Sequence, residues 1–316
     1  MNTKEAKEGL IYLYCITDKV PKLKEIENLV DKPYFIVQES IKHFPIPLRK
    51  SQEVIAEGDF LVYHKSLYAI INKVKESEFD EENLKRNLAD LEWIKAKASI
   101  HEKAIEGIMK NAGVIPFKFA TIFNTEDNLK TMLGQHLEEF KALLIKLEDK
   151  EEWGVKIYCN SEKLKENLIQ EDEQLLNIDK EINGSTTLTI DPERSRRVNS
   201  VGPGKAYLLK KKKEELLNIA VNKKLNEYGQ TSFDRLRERS QEAGINKLLP
   251  KEVTERNDEM ILNSAFLINK DKVGDFLNIV EDLRVKYTDK GLFFDCTGPW
   301  PPYNFCGLLK EKMHNG

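Results

Sequence analysis

The second half of the chain alternates short apolar runs with long amphipathic stretches, and this order restricts the folds open to it. A half-buried strand alternates in polarity at every residue, whereas one face of a helix recurs every three or four residues. These patterns predict a strand over 152–159, helices over 161–183 and from Gly202, strands over 248–253 and 260–268, a helix over 273–287, and a strand from Leu292. Strand, helix, strand, strand, helix, strand is the order of a ferredoxin-like βαββαβ sandwich.

The first half mixes strands with two long helices, and its topology does not follow from the pattern. Prolines over 44–47 predict a loop or an edge, and apolar runs predict strands over 10–16, 33–37, 60–63, 67–74 and 114–123. Apolar steps of three and four from Leu84 to Ile108 predict one long helix, N-capped by Asp80 and ending at Gly113. A second amphipathic helix is predicted from Thr125.

The chain is therefore predicted to be an α+β protein of two domains. Its 316 residues are enough for two ordinary domains, each with a core of its own. We assign residues 1–124 to a mixed N-terminal domain with long helices and residues 125–150 to a connecting amphipathic helix. Residues 151–316 form the ferredoxin-like C-terminal domain in this prediction.

Charge and composition argue against nucleic acid and lipid membranes as partners. The net charge is −3 and the isoelectric point is about 6.1, so no general attraction to anionic surfaces is expected. No run approaches the roughly 18 apolar residues of a spanning helix, and the N-terminus lacks the basic-then-apolar pattern of a secretory signal. The four cysteines are scattered, which is typical of proteins in a reducing cytoplasm. We expect a soluble intracellular protein.

The sequence gives little indication of catalysis, and it predicts no catalytic residue, metal ligand or cofactor. The five histidines are scattered, and no zinc-ligand spacing surrounds the cysteines. The stretch Gly202–Lys205, Gly-Pro-Gly-Lys, is similar to a phosphate-binding loop. That loop requires a glycine where Asn199 stands and a serine or threonine where Ala206 stands, so we predict a turn that begins a helix. We expect a protein that is not an enzyme.

Two further features have both a functional and a structural interpretation. His101 lies on the apolar face of the first long helix beside Glu102, where a hydrogen-bonded core histidine is favoured over a functional one. The run Lys210–Lys213 is favoured as a solvated helix face over a patch for an anion or an acidic partner. The polar segment from Gly184 to Asn199 is interpreted as a mobile insertion, with no role assigned.

Near the C-terminus, prolines and aromatic residues form a stiff segment. Gly298 and Pro299 are expected to turn the backbone after the last strand, because proline fixes φ and lacks the N–H that a central ladder needs. Stiff aromatic side chains lose little entropy on binding. The segment is therefore a candidate partner-binding surface, formed by Trp300, Pro301, Pro302, Tyr303 and Phe305. A second interpretation, in which the segment closes the core, is favoured over it.

Seven segments, in order over nearly the whole chain, carry a resemblance to a known family. They are Leu10–Tyr14, His101–Glu102, Ile115–Phe119 with Thr121, Glu152–Lys156, Gly202–Leu209, Leu262–Leu267 and Thr297–Tyr303. On these residues the chain resembles the gas vesicle protein F/L family, and the last segment is highly specific. Ala120 stands where many members carry glycine, which affects one backbone turn, and the segment from Gly184 to Asn199 is long.

The resemblance implies a minor, non-enzymatic protein of gas vesicle assembly with two α+β domains, the C-terminal one a modified ferredoxin-like fold. It implies binding to the hydrophobic main shell protein and to other accessory proteins. It also implies a place in the gas vesicle towards the gas-facing surface, with assembly in the cytoplasm. Such a binder would cover apolar shell subunits until the wall nucleates. The alternative is a small-ligand or nucleotide-binding sensor, since ferredoxin-like domains serve unrelated functions. No oligomeric state follows from these residues.

Overall fold

The computed structural model describes residues 9–19, 61–184 and 203–307, which divide into two compact units. The first unit contains the described residues up to Glu152 together with those from Pro299 onward, and the second runs from Trp153 to Gly298. The chain thus returns to the first unit at its end, whereas the sequence pattern assigned all residues after 150 to one domain. The strand predicted over 33–37, the loop over 44–47 and the insertion beyond Gly184 lie outside the described residues.

The first unit is built on an antiparallel sheet around one buried strand. Its strands are β1 (Leu10–Thr17), β2 (Leu61–His64), β3 (Leu67–Val74), β4 (Ile115–Pro116) and β5 (Ile122–Phe123). The order is β2-β3-β1-β4, with β5 also pairing with β1, and these pairs are antiparallel. Every residue of β1 is buried, as expected of a strand whose sequence is apolar on both faces.

The prediction of one continuous strand over 114–123 is wrong. β4 ends at Pro116, which has no N–H to donate to a ladder. Ala120 has a left-handed backbone with a φ of +61°, which an extended strand does not contain. The chain therefore leaves the sheet between these residues and pairs again with β1 where Ile122 meets Tyr12.

Both long helices predicted for the first half of the chain, the second of them as a connector over 125–150, are divided in two. The helices of its described part are α1 (Glu76–Phe79), α2 (Glu81–Asn87), α3 (Leu91–Met109), α4 (Glu126–Gln135) and α5 (Leu137–Leu147). Asp80 caps α2, as predicted, by accepting a hydrogen bond from the Asn83 N–H at 2.7 Å. Asp90 caps α3 by accepting from the N–H groups of Glu92 and Trp93, so α3 begins there as a separate helix. The apolar steps alone could not reveal this second cap.

The amphipathic helix predicted over 125–150 breaks at His136, whose φ of −110° and ψ of 18° are not helical. The apolar stripe predicted along it is nevertheless buried, since Leu129, Leu133 and Phe140 are fully buried. α4 contacts β2 and β5, and α5 contacts β4. Both helices therefore pack within the first unit.

The second unit is a four-stranded sheet with helices packed on it. Its elements are β6 (Lys150–Cys159), α6 (Ser161–Glu171), α7 (Glu173–Gly184), α8 (Pro203–Arg237), β7 (Glu242–Ile245), α9 (Lys251–Thr254), β8 (Glu259–Asn269), α10 (Val273–Thr288) and β9 (Leu292–Trp300). The strand order is β7-β8-β6-β9. Val155 and Phe266 from the sheet and Tyr228 and Phe276 from α8 and α10 share one core. Across the described ranges, no helix has the length and apolarity that crossing a membrane requires.

Two details of the second unit differ from the sequence pattern. The strand predicted over 248–253 is wrong: Leu248 and Val253 are 47% and 62% exposed, and Pro250 stands at the N-cap of α9. The strand at this place in the order is β7, whose Glu-Ala-Gly-Ile sequence has little strand propensity. The turn expected at Gly298 and Pro299 is also wrong, because β9 continues through both to Trp300.

Candidate functional site around His101 and the C-terminal segment

A buried histidine joins separate segments of the first unit. His101 lies on α3 and is 1% exposed. Its Nδ1 lies 2.9 Å from the Tyr12 hydroxyl on β1, and its Nε2 lies 3.1 Å from the Phe117 carbonyl oxygen and 3.0 Å from the Tyr303 hydroxyl. The interpretation of His101 as a hydrogen-bonded core residue is confirmed.

The partners of this ring define its protonation. A carbonyl oxygen only accepts hydrogen bonds, so Nε2 carries the proton and donates towards Phe117. Nδ1 then accepts from the hydroxyl of Tyr12, whose oxygen in turn accepts from the Ala120 N–H at 3.0 Å. The Tyr303 hydroxyl donates to Oε1 of Glu102 at 3.0 Å. Each donor therefore faces an acceptor when the histidine is neutral.

Burial sets the electrostatics of the network. Desolvation lowers the pKa of His101 to about 4, although its hydrogen bond to the Phe117 carbonyl acts to raise the pKa. Desolvation, together with the Glu102 carboxylate, raises the pKa of the Tyr303 hydroxyl. Burial also raises the pKa of Glu102 itself. Protein groups thus occupy both nitrogens of the His101 ring.

The C-terminal segment packs into the first unit. Of the five residues predicted to form a partner-binding surface, Pro301, Pro302 and Phe305 are buried and Tyr303 is half-buried. Trp300, at the end of β9, is 42% exposed. Most of the segment therefore closes the core, which was the favoured interpretation. Binding of a partner here stays a prediction, and Trp300 is the residue on which it now depends.

A buried carboxylate holds this segment in place. Glu152 is 4% exposed, and its Oε2 accepts from the Asn304 backbone N–H at 3.0 Å. Its Oε1 accepts from the side-chain amide of the same asparagine at 2.5 Å. Lys146 Nζ donates to the Phe305 carbonyl oxygen at 3.1 Å. Hydrogen bonds to charged groups are roughly twice as strong as neutral ones, so these contacts fix the path of the backbone after Pro302.

Three residues of this site were not predicted from the sequence: Tyr12, which contacts His101, and Glu152 and Asn304, which bond to each other. The first two stand in segments that carry the family resemblance, and Asn304 directly follows another. These segments are far apart in sequence, yet the first unit brings several together in one place: Leu10–Tyr14, His101–Glu102, Ile115–Phe119 and Thr297–Tyr303. Their resemblance was the available signal, but it did not say that they touch.

The other motifs of the sequence have structural roles. The Gly-Pro-Gly-Lys stretch leads into α8, which begins at Pro203, as predicted. Lys210, Lys211 and Lys212 are exposed, and Lys213 forms an ion pair with Asp179 of α7. The lysine run is thus a largely solvated helix face. Within the described part of the chain, no three His, Cys, Asp or Glu side chains are grouped as metal ligands would be.

The buried histidine predicts a pH dependence of stability. The pKa of His101 falls from its ordinary 6.5 to about 4 on folding, so the unfolded chain binds the extra proton between these values and acid favours unfolding. We expect wild type to lose about 2 kcal/mol more stability than His101→Gln between pH 7 and pH 5. Urea unfolding at both pH values measures this. The raised pKa of Glu102 acts in the opposite direction but is present in both proteins. Equal losses in the two proteins would contradict a neutral buried histidine.

A second prediction concerns the left-handed residue in the network. Ala120 has a φ of +61°, which costs a non-glycine residue roughly 1–2 kcal/mol. Ala120→Gly is expected to raise the free energy of unfolding by about 0.5–1 kcal/mol, because glycine's greater unfolded-state entropy offsets part of the relief. Ala96→Gly, at an exposed position of α3, should instead lower it by about 1 kcal/mol. Thermal unfolding measures both changes. If both substitutions destabilise the protein, the inference of backbone strain at Ala120 is wrong.

Comparisons with known proteins agree with one another. A family model described as gas vesicle synthesis protein GvpL/GvpF matches residues 10–307. Gas vesicle protein L of Streptomyces sp. (strain CB03234) is 24% identical over 254 residues, which cover 80% of this chain and 85% of that protein. Gas vesicle protein L1 of Halobacterium salinarum is 24% identical over 228 residues, covering 68% and 72%.

Solved structures show the same fold. The crystal structure of GvpF from Anabaena sp. PCC7120 covers 94% of this chain and 98% of its own, with a TM-score of 0.58 at 17% identity. That of GvpF from Microcystis aeruginosa has the same coverage and identity and a TM-score of 0.55. The mixed α+β architecture with two sheets is therefore shared with these proteins.

Proposed function

Because the chain belongs to the GvpL/GvpF family of gas vesicle synthesis proteins, we propose that it is an accessory protein of vesicle assembly that binds the hydrophobic main shell protein. In this role it helps to nucleate or extend the wall together with other accessory proteins. It acts in the cytoplasm during assembly, remains a minor component towards the gas-facing surface, and has no enzymatic activity. The observation that carries the proposal is the family match over residues 10–307.

The physical argument for such a binder is the solubility of the shell subunit. A protein apolar enough to face a gas phase would aggregate through its exposed surface before the wall forms. A charged binder that covers this surface keeps the subunit available, and 33% of the residues of this chain are charged. The buried network around His101 supports the role indirectly, since it fixes the segment that presents Trp300.

We propose in addition that the second unit is a ferredoxin-like domain. Along the chain β6 is the first strand of the unit, β7 the second, β8 the third and β9 the fourth. In the sheet they lie in the order β7-β8-β6-β9, that is, second, third, first, fourth. The helices α6, α7 and α8 connect the first two strands, and α10 connects the last two. This connection pattern is that of a split βαβ arrangement.

Capture of the shell protein tests the proposal. The tagged chain and the main shell protein are co-expressed without any other gas vesicle protein, and the complex is recovered through the tag. We expect direct capture of the shell protein. Capture that needs other accessory proteins would replace direct binding by a scaffold role. Absence of capture under both conditions would contradict the proposal and direct attention to a ligand screen by thermal shift.

The same assay tests the predicted surface at the end of β9. Trp300→Ala is expected to reduce capture by about tenfold, because a partly exposed tryptophan is a typical anchor of an interface. Ile145→Ala on α5 is the matched control, since Ile145 is 71% exposed in the same unit. Circular dichroism checks that both variants fold. Unchanged capture by folded Trp300→Ala would place the shell-binding surface elsewhere.

A further inference from the structure

A groove in the second unit lies beside an open edge of its sheet. It is bounded by α8 and by β7 and β8, and its volume is about 340 Å³, within the roughly 300–1,000 Å³ range of ligand pockets. Leu225 and Phe233 line it from α8, and Met260 and Leu262 line it from β8. Ile245, the last residue of β7, also lines the groove and is 63% exposed. The groove thus offers apolar surface at the edge of the sheet.

The backbone of β7 is available for pairing on its outer side. β7 lies at one edge of its four-stranded sheet, where it pairs with β8. The Asn246 N–H donates to the Asn263 carbonyl oxygen at 2.7 Å. Backbone groups of an antiparallel strand point alternately towards and away from the neighbouring strand, so those of Ala243 and Ile245 point away from β8. Such an edge can pair with another chain; β7 is four residues long and carries one charged residue, Glu242, but no lysine or proline.

The lining favours an uncharged occupant. Within the described structure, Glu259 is the one charged residue among those that line the groove, whereas charged residues make up 33% of the chain. The other polar lining residues are the amides Asn222, Asn226 and Gln230. Amides can hydrogen-bond to a peptide backbone but do not compensate a buried charge. A negatively charged side chain would therefore lose hydration on entering the groove without gaining an ion pair, and a positively charged one could pair only with Glu259, which is exposed among the lining residues.

We propose that the β7 edge and this groove bind an extended, uncharged and largely apolar segment of a partner protein by strand addition. Main-chain hydrogen bonds to Ala243 and Ile245 set the register of the incoming strand. Its alternate side chains enter the groove beside Ile245 and Leu248. The inference rests on the geometry of the second unit alone and does not depend on which protein the chain binds in the vesicle.

The test uses the full chain and a dye-labelled peptide of alternating valine and threonine, about ten residues long, which matches strand addition. Fluorescence anisotropy measures the affinity. Ile245→Lys places a charge on the edge and in the groove, and we expect it to weaken binding by about tenfold or more. Val285→Lys on α10 is the matched control, since Val285 is 70% exposed, and it should leave the affinity within about twofold. A peptide N-methylated at alternate backbone amides should not bind.

Circular dichroism and thermal unfolding verify the fold of each variant. If Ile245→Lys unfolds, Ile245→Thr replaces it, with an expected weakening of binding of about threefold.

Equal binding by wild type and the folded Ile245 variants would overturn the site. Undiminished binding of the N-methylated peptide would overturn strand addition. Absence of binding of the valine–threonine peptide, or tighter binding of one with glutamate in place of valine, would overturn the proposed chemistry. A concentration-dependent dimer in sedimentation, lost in Ile245→Lys, would identify a second copy as the occupant and overturn it too.

Discussion

Replacement of His101 by alanine is expected to lower the free energy of unfolding by about 3 kcal/mol. The substitution leaves a cavity at a position that is 1% exposed. It also removes the acceptor of the Tyr12 hydroxyl and the donor to the Phe117 carbonyl oxygen. Urea unfolding at pH 7 measures this change. The slope of the unfolding free energy against urea concentration should stay the same, because the surface exposed on unfolding does not change.

Tyr303→Phe separates the hydrogen bonds of this network from its packing. The ring stays in place, but Glu102 Oε1 loses the hydroxyl that donates to it, and we expect a loss of about 1 kcal/mol. Combining this variant with His101→Ala should give a coupling energy of about 1 kcal/mol, since the two side chains are in direct contact. A loss below about 1 kcal/mol for His101→Ala, or strictly additive effects, would show that the network does not stabilise the fold as a unit.

Replacement of Glu152 by alanine is expected to cost about 3 kcal/mol, because two hydrogen bonds from Asn304 end on this carboxylate. The loss should be concentrated at the C-terminal segment, whose backbone is then held less firmly. Thermal unfolding measures the global change. Limited proteolysis with mapping of the cleavage sites measures the local change, which should appear as faster cleavage at bonds beyond Pro302.

Glu152→Gln is the matched control for this effect. The amide keeps the shape of the side chain and one acceptor oxygen for the Asn304 N–H, so we expect a loss of about 1 kcal/mol and little extra cleavage. If alanine and glutamine variants are equally stable, the carboxylate is not what holds the segment. If Glu152→Ala unfolds more easily but cleavage after Pro302 does not accelerate, its effect lies elsewhere in the fold.

Much of the secondary structure could be predicted because burial leaves a periodic pattern in the chain. β1 and β3 are apolar runs buried in the first unit, and β8 is one in the second. The faces of α10 and of α4 with α5 repeat every three or four residues and are buried as that repeat predicts. These elements are specified by local sequence and by one buried face.

The errors fall where a local pattern does not determine the structure. Apolar steps continue across Asp90 and His136, yet a capping side chain and a non-helical backbone end the helices there. β7 is a strand because it pairs with β8, and its own residues carry almost no strand signal. In each case a contact or a single backbone angle determines where the helix ends or the strand forms. The repeat of apolar residues along the sequence carries no signal of either.

The site was predicted in part. The C-terminal segment and His101 were both singled out, and the favoured interpretation of each, as core residues, agrees with the burial of Phe305 and His101. That the two meet through Tyr303 could not be predicted, since 202 residues separate them along the chain. Only the folded first unit brings these segments within hydrogen-bonding distance, and it leaves Trp300 partly exposed beside them.

The claim that this chain acts in gas vesicle assembly is tested most directly by deleting its coding sequence from a gas vesicle gene set that includes it. The gene set is expressed in a host without vesicles of its own, and electron microscopy counts the vesicles in each cell. We predict cells without vesicles, and restoration of vesicles when the wild-type chain is supplied separately. Vesicles of normal number and shape in cells that lack the chain would contradict the claim.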